Sequence, residues 1–118
     1  MYADNALMAE LLKAVGVTDA SELYAQTGDK ALDMVNRRIA LDLFTIDSAQ
    51  SRALTAAAKL AGEQKSFVEK ITAGRYDDAS WLVNYAREVA DRMAEIQAAR
   101  DNVLAAIPLR LALQNRPS

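Results

Sequence analysis

Two acidic pairs are the side chains in this sequence whose types and spacing come nearest to a reactive site. Asp77 and Asp78 are adjacent, and Asp91 and Glu95 are four residues apart. Paired carboxylates can share a proton or coordinate a divalent cation. Asp77 and Asp78 precede a predicted helix, however, where capping and the helix dipole already favour acidic residues. Asp91 and Glu95 are interleaved with arginines at helical spacing, which is typical of ion pairs on an exposed helix face. We therefore interpret both pairs as structural.

Basic side chains are the second group that could do chemistry. A helical enzyme or ligand-binding bundle without histidine or cysteine could surround a small diacid with cationic groups. The candidates here are Arg37, Arg38, Arg52 and Lys59. The sequence contains no glycine-rich phosphate-binding motif to accompany them, and Asp33 and Asp42 lie within one helical turn of the two adjacent arginines. The pattern favours a solvated face of paired charges. An enclosed pocket lined by two or more of Arg37, Arg38, Arg52 and Arg100 would favour an enzyme instead.

The composition excludes most other catalytic and metal sites. The chain has 118 residues with no histidine and no cysteine. It therefore lacks an imidazole base, a thiol nucleophile, a disulfide framework and the usual ligands of zinc and haem. We predict no catalytic residue, no cofactor and no metal ion. With 14 basic and 16 acidic residues, the chain also lacks the strongly basic character of a nucleic-acid-binding domain, so we predict no nucleic-acid partner.

Charge and hydropathy also bear on where the protein acts. The first residues lack the basic start and apolar run of a signal peptide, and the chain has no stretch of about 18 uncharged apolar residues to span a bilayer. We expect a cytoplasmic protein, with signal-less export as the alternative. Residues 1–29 contain five acidic side chains and one lysine, whereas residues 108–118 contain two arginines and no acid. We interpret this asymmetry as surface charge that favours solubility. The alternative is that the two ends attract each other, within one chain or between chains.

Local capping signals predict two short helices at the start of the chain. The first covers residues 5–15, and the second begins near residue 20 and ends before Gly28. The signals are Asp4 or Asn5 before the first helix, Gly16 after it, and Asp19 with Glu22 in capping-box spacing before the second.

A long helical segment follows over residues 30–72, with Asp29 as its N-cap. Its apolar residues recur at spacings of three and four, close to a heptad seam, if Gln50 and Gln64 are counted at two gaps in the row. They are Leu32, Val35, Ile39, Leu43, Ile46, Ala53, Ala57, Leu60, Phe67 and Ile71. The pattern leaves open whether the segment is one helix or two, because residues 45–50 and Gly62 each offer a break.

A second long helix should follow a turn at residues 73–78. We expect it to cover residues 79–107 and to end at Pro108, since proline lacks an amide hydrogen and clashes with the preceding turn. Its apolar stripe, which Arg100 interrupts, contains Leu82, Ala86, Val89, Met93, Ile96, Val103 and Ile107. Beyond it, leucines recur every second residue, which is typical of an extended chain, with a short helical turn as the alternative.

These elements predict an all-α fold, an antiparallel hairpin or bundle of two long helices with short N-terminal helices packed across one end. We expect one helical domain over residues 1–107 and a C-terminal tail over residues 108–118. Two amphipathic helices do not readily bury their apolar stripes alone. The pattern therefore predicts coiled-coil-like packing and either a homodimer or a protein partner.

Eight apolar or aromatic residues are candidates for binding that partner. They are Leu41, Phe44 and Leu54 on the first long helix, Tyr76 and Trp81 near the turn, and Leu109, Leu111 and Leu113 in the tail. We predict a non-enzymatic protein-interaction function, such as that of an adaptor, a chaperone or an assembly subunit. The first alternative is a structural or surface-coating amphipathic protein, and the second is a small ligand-binding protein or enzyme built from arginine and carboxylates.

Overall fold

The fold is all-α, as the sequence predicts. A computed structural model describes residues 5–74 and 80–116, and the side chains of these residues except residues 64, 65, 67, 80 and 81. The helices are α1 (Ala6–Val15), a short 3-10 helix (Ala20–Tyr24), α2 (Lys30–Thr72) and α3 (Ser80–Gln114). The 43 residues of α2 form one unbroken helix, which answers the question that the sequence left open.

The two ends of α1 are determined by local hydrogen bonds. Asn5 is the N-cap, and its side-chain oxygen accepts a hydrogen bond of 3.2 Å from the amide of Met8. Gly16 ends the helix with φ 94°, in the left-handed region, and its amide donates to the carbonyls of Leu12 and Lys13. A residue with a Cβ is strained in that conformation, so the glycine marks the end of the helix.

A capping box begins the 3-10 helix, as its spacing predicts. The carboxylate of Asp19 accepts from the amide of Ser21 at 2.9 Å, and that of Glu22 accepts from the amide of Asp19 at 2.8 Å. Glu22 also accepts from the hydroxyl and the amide of Thr18, both at 2.7 Å. The Thr18 hydroxyl first, and then the two amides, hold the pKa of Glu22 below its ordinary value.

Asp29 is the N-cap of α2, and it also contacts Arg116, which follows α3. One of its carboxylate oxygens accepts from the amides of Ala31 at 3.0 Å and Leu32 at 3.3 Å, and the other accepts from the guanidinium of Arg116. Desolvation raises the pKa of Asp29, but the hydrogen bonds from Leu32, Arg116 and Ala31 outweigh it, so the pKa lies below its ordinary value. This contact between Asp29 and Arg116 lies within one chain, and it is of the kind that the alternative interpretation of the charge asymmetry implies.

Acidification below about pH 5 is expected to destabilise the fold around these carboxylates. Glu22 and Asp29 both have lowered pKa values in the folded chain. Their contribution to stability is therefore complete above the unfolded pKa, near 4, and is lost as the pH falls through the lower folded pKa. Urea unfolding midpoints measured from pH 3 to pH 7 check this. Glu22→Gln should reduce the fall in stability on acidification, and the same change at the exposed Glu10 should not.

The helices are organised as two compact units. The terminal unit consists of Met1–Asp47 and Ile96–Ser118, and the central unit is Ser48–Glu95. In the terminal unit, Asp29 contacts Arg116 and Asn36 contacts Arg110. Residue numbers thus rise along α2 as they fall along α3, so the two helices are antiparallel there.

The core of the terminal unit is formed by apolar side chains from all of its helices. They are Met8, Leu11, Leu12, Val15, Leu23, Ile39, Ala40, Leu43, Ile46, Ala99 and Val103. On α2, five buried positions follow spacings of four, three, four and three, and we call them the inner seam. They are Leu32, Asn36, Ile39, Leu43 and Ile46. This regular seam places one face of α2 against α1 and α3.

One polar residue, Asn36, occupies the inner seam, and Arg110 of α3 satisfies it. The Nε of Arg110 donates to Oδ1 of Asn36 at 2.8 Å, and its Nη1 donates to the carbonyl of Val15 at 2.6 Å. Val15 is the last residue of α1, where carbonyls lack helical donors and a cation is favourable. A single guanidinium therefore joins α1, α2 and α3.

The end of α3 differs from the prediction. The helix continues through Pro108 to Gln114, so the predicted helix end at Pro108 is wrong, and the helical alternative for the last leucines is correct. Pro108 is exposed, so the carbonyl four residues earlier, which it leaves without a donor, lies on the solvent side. Arg110, in the next turn, holds the helix on the core. The division into a domain over residues 1–107 and a tail over 108–118 stays a prediction. The helix end at Pro108 no longer supports it, because α3 continues across that position.

Small residues form the packed face of α2 in the central unit. Among the described residues of this unit, the buried side chains are those of Ala49, Ala53 and Ala56. Small side chains let helices approach closely. The predicted stripe of α3 is wrong at Met93, which is 58% exposed, whereas the neighbouring Arg92 side chain is 17% exposed. The Arg92 guanidinium forms ion pairs with two carboxylates, at 3.0 Å from Glu95 and 3.7 Å from Glu88, and these pairs stabilise its inward position.

Hydropathy along the described helices is too low for a membrane span. None of them combines sufficient length with sufficient apolar character to cross a bilayer. Charged side chains recur along both α2 and α3.

Candidate functional site

The outward side of α2 in the terminal unit carries a second row of residues with heptad spacing. We call these five positions the outer seam, and they are Lys30, Met34, Arg37, Leu41 and Phe44. Their spacings of four, three, four and three repeat those of the inner seam. All five are exposed, and the three apolar ones expose 71%, 56% and 64% of their surface in chain order.

Helix geometry places the outer seam opposite the core. At about 100° per residue, Met34, Leu41 and Phe44 lie within an arc of about 80°. Leu43, which is 0% exposed, is nine residues after Met34 and therefore about 180° around the helix from it. The outer seam thus cannot contribute to the core of its own unit, and it presents three large apolar side chains to solvent.

The charges on and beside the outer seam are mainly positive. Among the described residues, neither Lys30 nor Arg37 has an ion-pair partner. Arg38, beside the seam, has one, since its Nε lies 3.4 Å from the carboxylate of the buried Asp42. The expected pairing of Arg37 with Asp33 does not form. Asp33 instead accepts hydrogen bonds from Thr27, which precedes α2.

Thr27 binds Asp33 twice. Its amide donates to Oδ1 of Asp33 at 2.9 Å and its hydroxyl donates to the same oxygen at 2.7 Å. The Asp33 carboxylate thus connects the segment before α2 to the first turn of the helix. Arg37, one turn further along in the middle of the apolar row, has no ion-pair partner in the part of the chain that the structure describes.

A separate groove lies in the central unit between α2 and α3. It is open to solvent, has a volume of about 250 Å³, and is lined by residues that include Arg52, Lys59, Tyr85 and Glu88. Arg52 donates to Glu88 at 3.4 Å, and the ammonium of Lys59 lies 5.9 Å from the centroid of the Tyr85 ring. These contacts pair rising residue numbers of α2 with falling numbers of α3, so the helices are antiparallel in this unit as well.

The chemistry available in this groove is limited. Glu88 lies between Arg52 and Arg92, so its carboxylate is already engaged by two cations. The hydroxyl of Thr55 donates to the carbonyl of Ser51 at 3.0 Å. Of the four cations proposed for an enzyme, Arg52 and Lys59 line this groove, whereas Arg37 and Arg38 belong to the other unit. The described side chains of the groove present no nucleophile paired with a base.

Comparison with known proteins adds no functional assignment. No protein-family model, curated protein or solved structure matches this chain. Among the described residues, no group of three acidic side chains could hold a metal ion. The choice between the outer seam and the groove therefore depends on their geometry and charge.

The candidate partner-binding residues fall in different places. Leu41 and Phe44 share the outer seam, and Leu54 is 72% exposed but belongs to the central unit. Tyr76 lies outside the described residues, and so does the side chain of Trp81, whose backbone is in α3.

The three tail leucines are helical and do not form one row. Leu109 and Leu111 are 54% and 56% exposed, and Leu113 is half-buried. In a helix, residues two apart lie about 200° apart around the axis, so Leu109 and Leu111 point to different sides. The period of two therefore does not produce a shared apolar surface here.

Sequence reasoning missed three members of the outer seam. The sequence pattern does not single out Met34. It predicts Arg37, with Lys30 and Arg38 nearby, either on a solvated face of paired charges or as an anion ligand. The signal was available, since Met34, Leu41 and Phe44 are spaced by seven and three residues. It was hidden because the inner seam shows the same period, offset by two residues along the helix.

Proposed function

We propose that this protein is a non-enzymatic helical interaction protein that docks a partner protein on its outer seam. Such a role suits an adaptor, a chaperone or an assembly subunit acting in the cytoplasm. The observation that carries the proposal is the repeated heptad spacing on two faces of α2. The inner seam is packed by the rest of the terminal unit, and the outer seam has the same spacing with exposed Met34, Leu41 and Phe44.

Burying the apolar side chains of the outer seam offsets part of the free-energy cost of association. Burying one large apolar side chain contributes about 1.5–3 kcal/mol. Three such side chains in one row, with little backbone motion needed because α2 is already folded, resemble the central contacts of a helical interface. Their regular spacing matches the knobs-into-holes packing of another helix.

The partner is more readily a different protein than a second copy. Homodimerisation stays a prediction, and we do not assign it to the outer seam. The outer seam carries Arg37 near its centre with Arg38 beside it, and pairing two copies along it would place like charges close together.

Site-specific photo-crosslinking in the cells that express the protein tests the proposal. A benzoylphenylalanine in place of Phe44 should crosslink to one defined protein, and Leu41→Asp in the same chain should abolish that adduct. The matched control places the photoprobe at Val68, an exposed apolar residue of α2 in the central unit.

A second step separates docking from random capture. The crosslinked protein, once identified and purified, should bind the purified chain, and Leu41→Asp should weaken that binding at least about tenfold, as expected for the loss of one buried apolar contact. Equal crosslinking at Phe44 and Val68, or binding that Leu41→Asp leaves unchanged, would overturn the proposal.

A further inference from the structure

We propose that the partner docked on the outer seam is an acidic amphipathic α-helix whose carboxylates face Lys30 and Arg37. This inference rests on the proposed function and names the chemistry of its partner. The two cations occupy seam positions themselves, at the start and the middle of the row, and neither has an ion-pair partner among the described residues. A helix that covers Met34 and Leu41 must also cover Arg37, which lies between them.

The inner seam of the same helix shows how a polar seam position is accommodated. Asn36 is 4% exposed, and a charged side chain of α3, Arg110, reaches across to bond it at 2.8 Å. A polar group that is buried without such a bond would be costly. By the same rule, a partner that desolvates the guanidinium of Arg37 must supply acceptors, and a carboxylate provides two in a matching geometry.

A second copy of the chain satisfies this requirement poorly. In a parallel pairing along the outer seam, Arg37 of one copy would face Arg37 of the other. In an antiparallel pairing centred on the seam, the Arg37 and Arg38 guanidiniums of both copies would converge. Like charges at close range disfavour either arrangement.

An anionic membrane surface fits the charge but not its placement. Interfacial helices keep their basic residues on the polar face and insert a continuous apolar face below the headgroups. Here Arg37 interrupts the row between Met34 and Leu41, so insertion of the apolar side chains would bring the guanidinium with them. A facing helix avoids this cost by placing an acidic side chain at that level.

Peptide binding with matched charges tests the assignment. The probe is a fluorescent synthetic helix of about 28 residues, with leucine at its seam positions and glutamate at the flanking positions. Its control has the same sequence with every glutamate replaced by lysine. The full-length chain should bind the acidic peptide at least about tenfold more tightly at low salt, and the difference should shrink as salt is added.

Variants of the chain make the test specific to the outer seam. Arg37→Glu combined with Lys30→Glu should reverse the preference, so that the lysine peptide binds more tightly. Phe44→Ala should weaken binding of the acidic peptide, whereas Val68→Ala, at a similarly exposed position in the central unit, should leave it unchanged. All four positions are exposed, so the folded state should survive these changes, and circular dichroism checks that it does.

Three results would overturn the acidic-helix assignment. They are equal affinity for the two peptides, no reversal in the Lys30 and Arg37 variant, and binding to phosphatidylserine vesicles that the acidic peptide does not displace. If crosslinking at Phe44 finds a protein partner while the peptides bind equally, docking stands and the acidic partner is rejected. If the acidic peptide binds with the expected reversal but no partner is crosslinked, the surface chemistry stands and the docking function is rejected.

Discussion

Replacing Arg110 with methionine is expected to lower the free energy of unfolding by about 3 kcal/mol. Methionine keeps much of the aliphatic stem of the arginine, so the change removes chiefly the guanidinium. The side-chain oxygen of Asn36 then loses its donor in a site that is 4% exposed, and the carbonyl of Val15 loses its cation. Hydrogen bonds to charged groups contribute about 1.5–3 kcal/mol each, and part of the loss at the helix end is recovered by water.

Urea unfolding of matched variants measures this effect. Arg100→Met is the control, because Arg100 is on the same helix but its side chain is 41% exposed and its ion pair with Asp101 is 3.8 Å long. That change should cost less than about 1 kcal/mol. Adding Asn36→Leu to Arg110→Met should restore part of the lost stability, because both polar partners are then gone. An Arg110→Met variant no less stable than Arg100→Met would show that the guanidinium does not join the three helices.

Leu43→Ala is expected to lower the free energy of unfolding by about 3 kcal/mol, since deleting buried methyl and methylene groups removes contacts and leaves a cavity. Leu43 is 0% exposed and lies in the middle of the inner seam, where it contributes to the core shared by α1, α2 and α3. Thermal or urea unfolding followed by circular dichroism gives the value.

Leu41→Ala provides a closely matched comparison. It is the same chemical change two residues away on the same helix, so the difference in helix propensity is equal in the two variants. Leu41 is 56% exposed on the outer seam, and we expect its replacement to change stability by less than about 1 kcal/mol. A loss equal to that of Leu43→Ala would place Leu41 in the core and remove the outer seam as a docking surface. The comparison therefore also checks that seam variants used in binding experiments remain folded.

The helices and their caps could be predicted because they depend on neighbours within a few residues. Asn5, the Asp19 and Glu22 capping box, and Asp29 all form the hydrogen bonds that their positions imply. The buried row of α2 was also largely visible, since Leu32, Ile39, Leu43 and Ile46 recur at heptad spacing. These features require only the geometry of a single helix.

The choice of faces could not be predicted in the same way. Two rows with heptad spacing run along α2, and the sequence pattern does not say which one the other helices cover. Met93 and Arg92 illustrate the same difficulty on α3, where two carboxylates draw the arginine inward and leave the methionine exposed. Burial depends on what packs against a face, and that is a property of the assembled unit.

The all-helical fold, the helix starts, the glycine after α1 and the apolar periodicity can be read from the sequence, because they follow from local hydrogen bonds and side-chain spacing. Three features depend on tertiary packing: α3 continues past Pro108, Arg110 donates hydrogen bonds to Asn36 and Val15, and the outer seam is exposed. Those contacts join residues 74 and 95 positions apart. No local pattern specifies such a pair, since it forms only when separate helices are packed together.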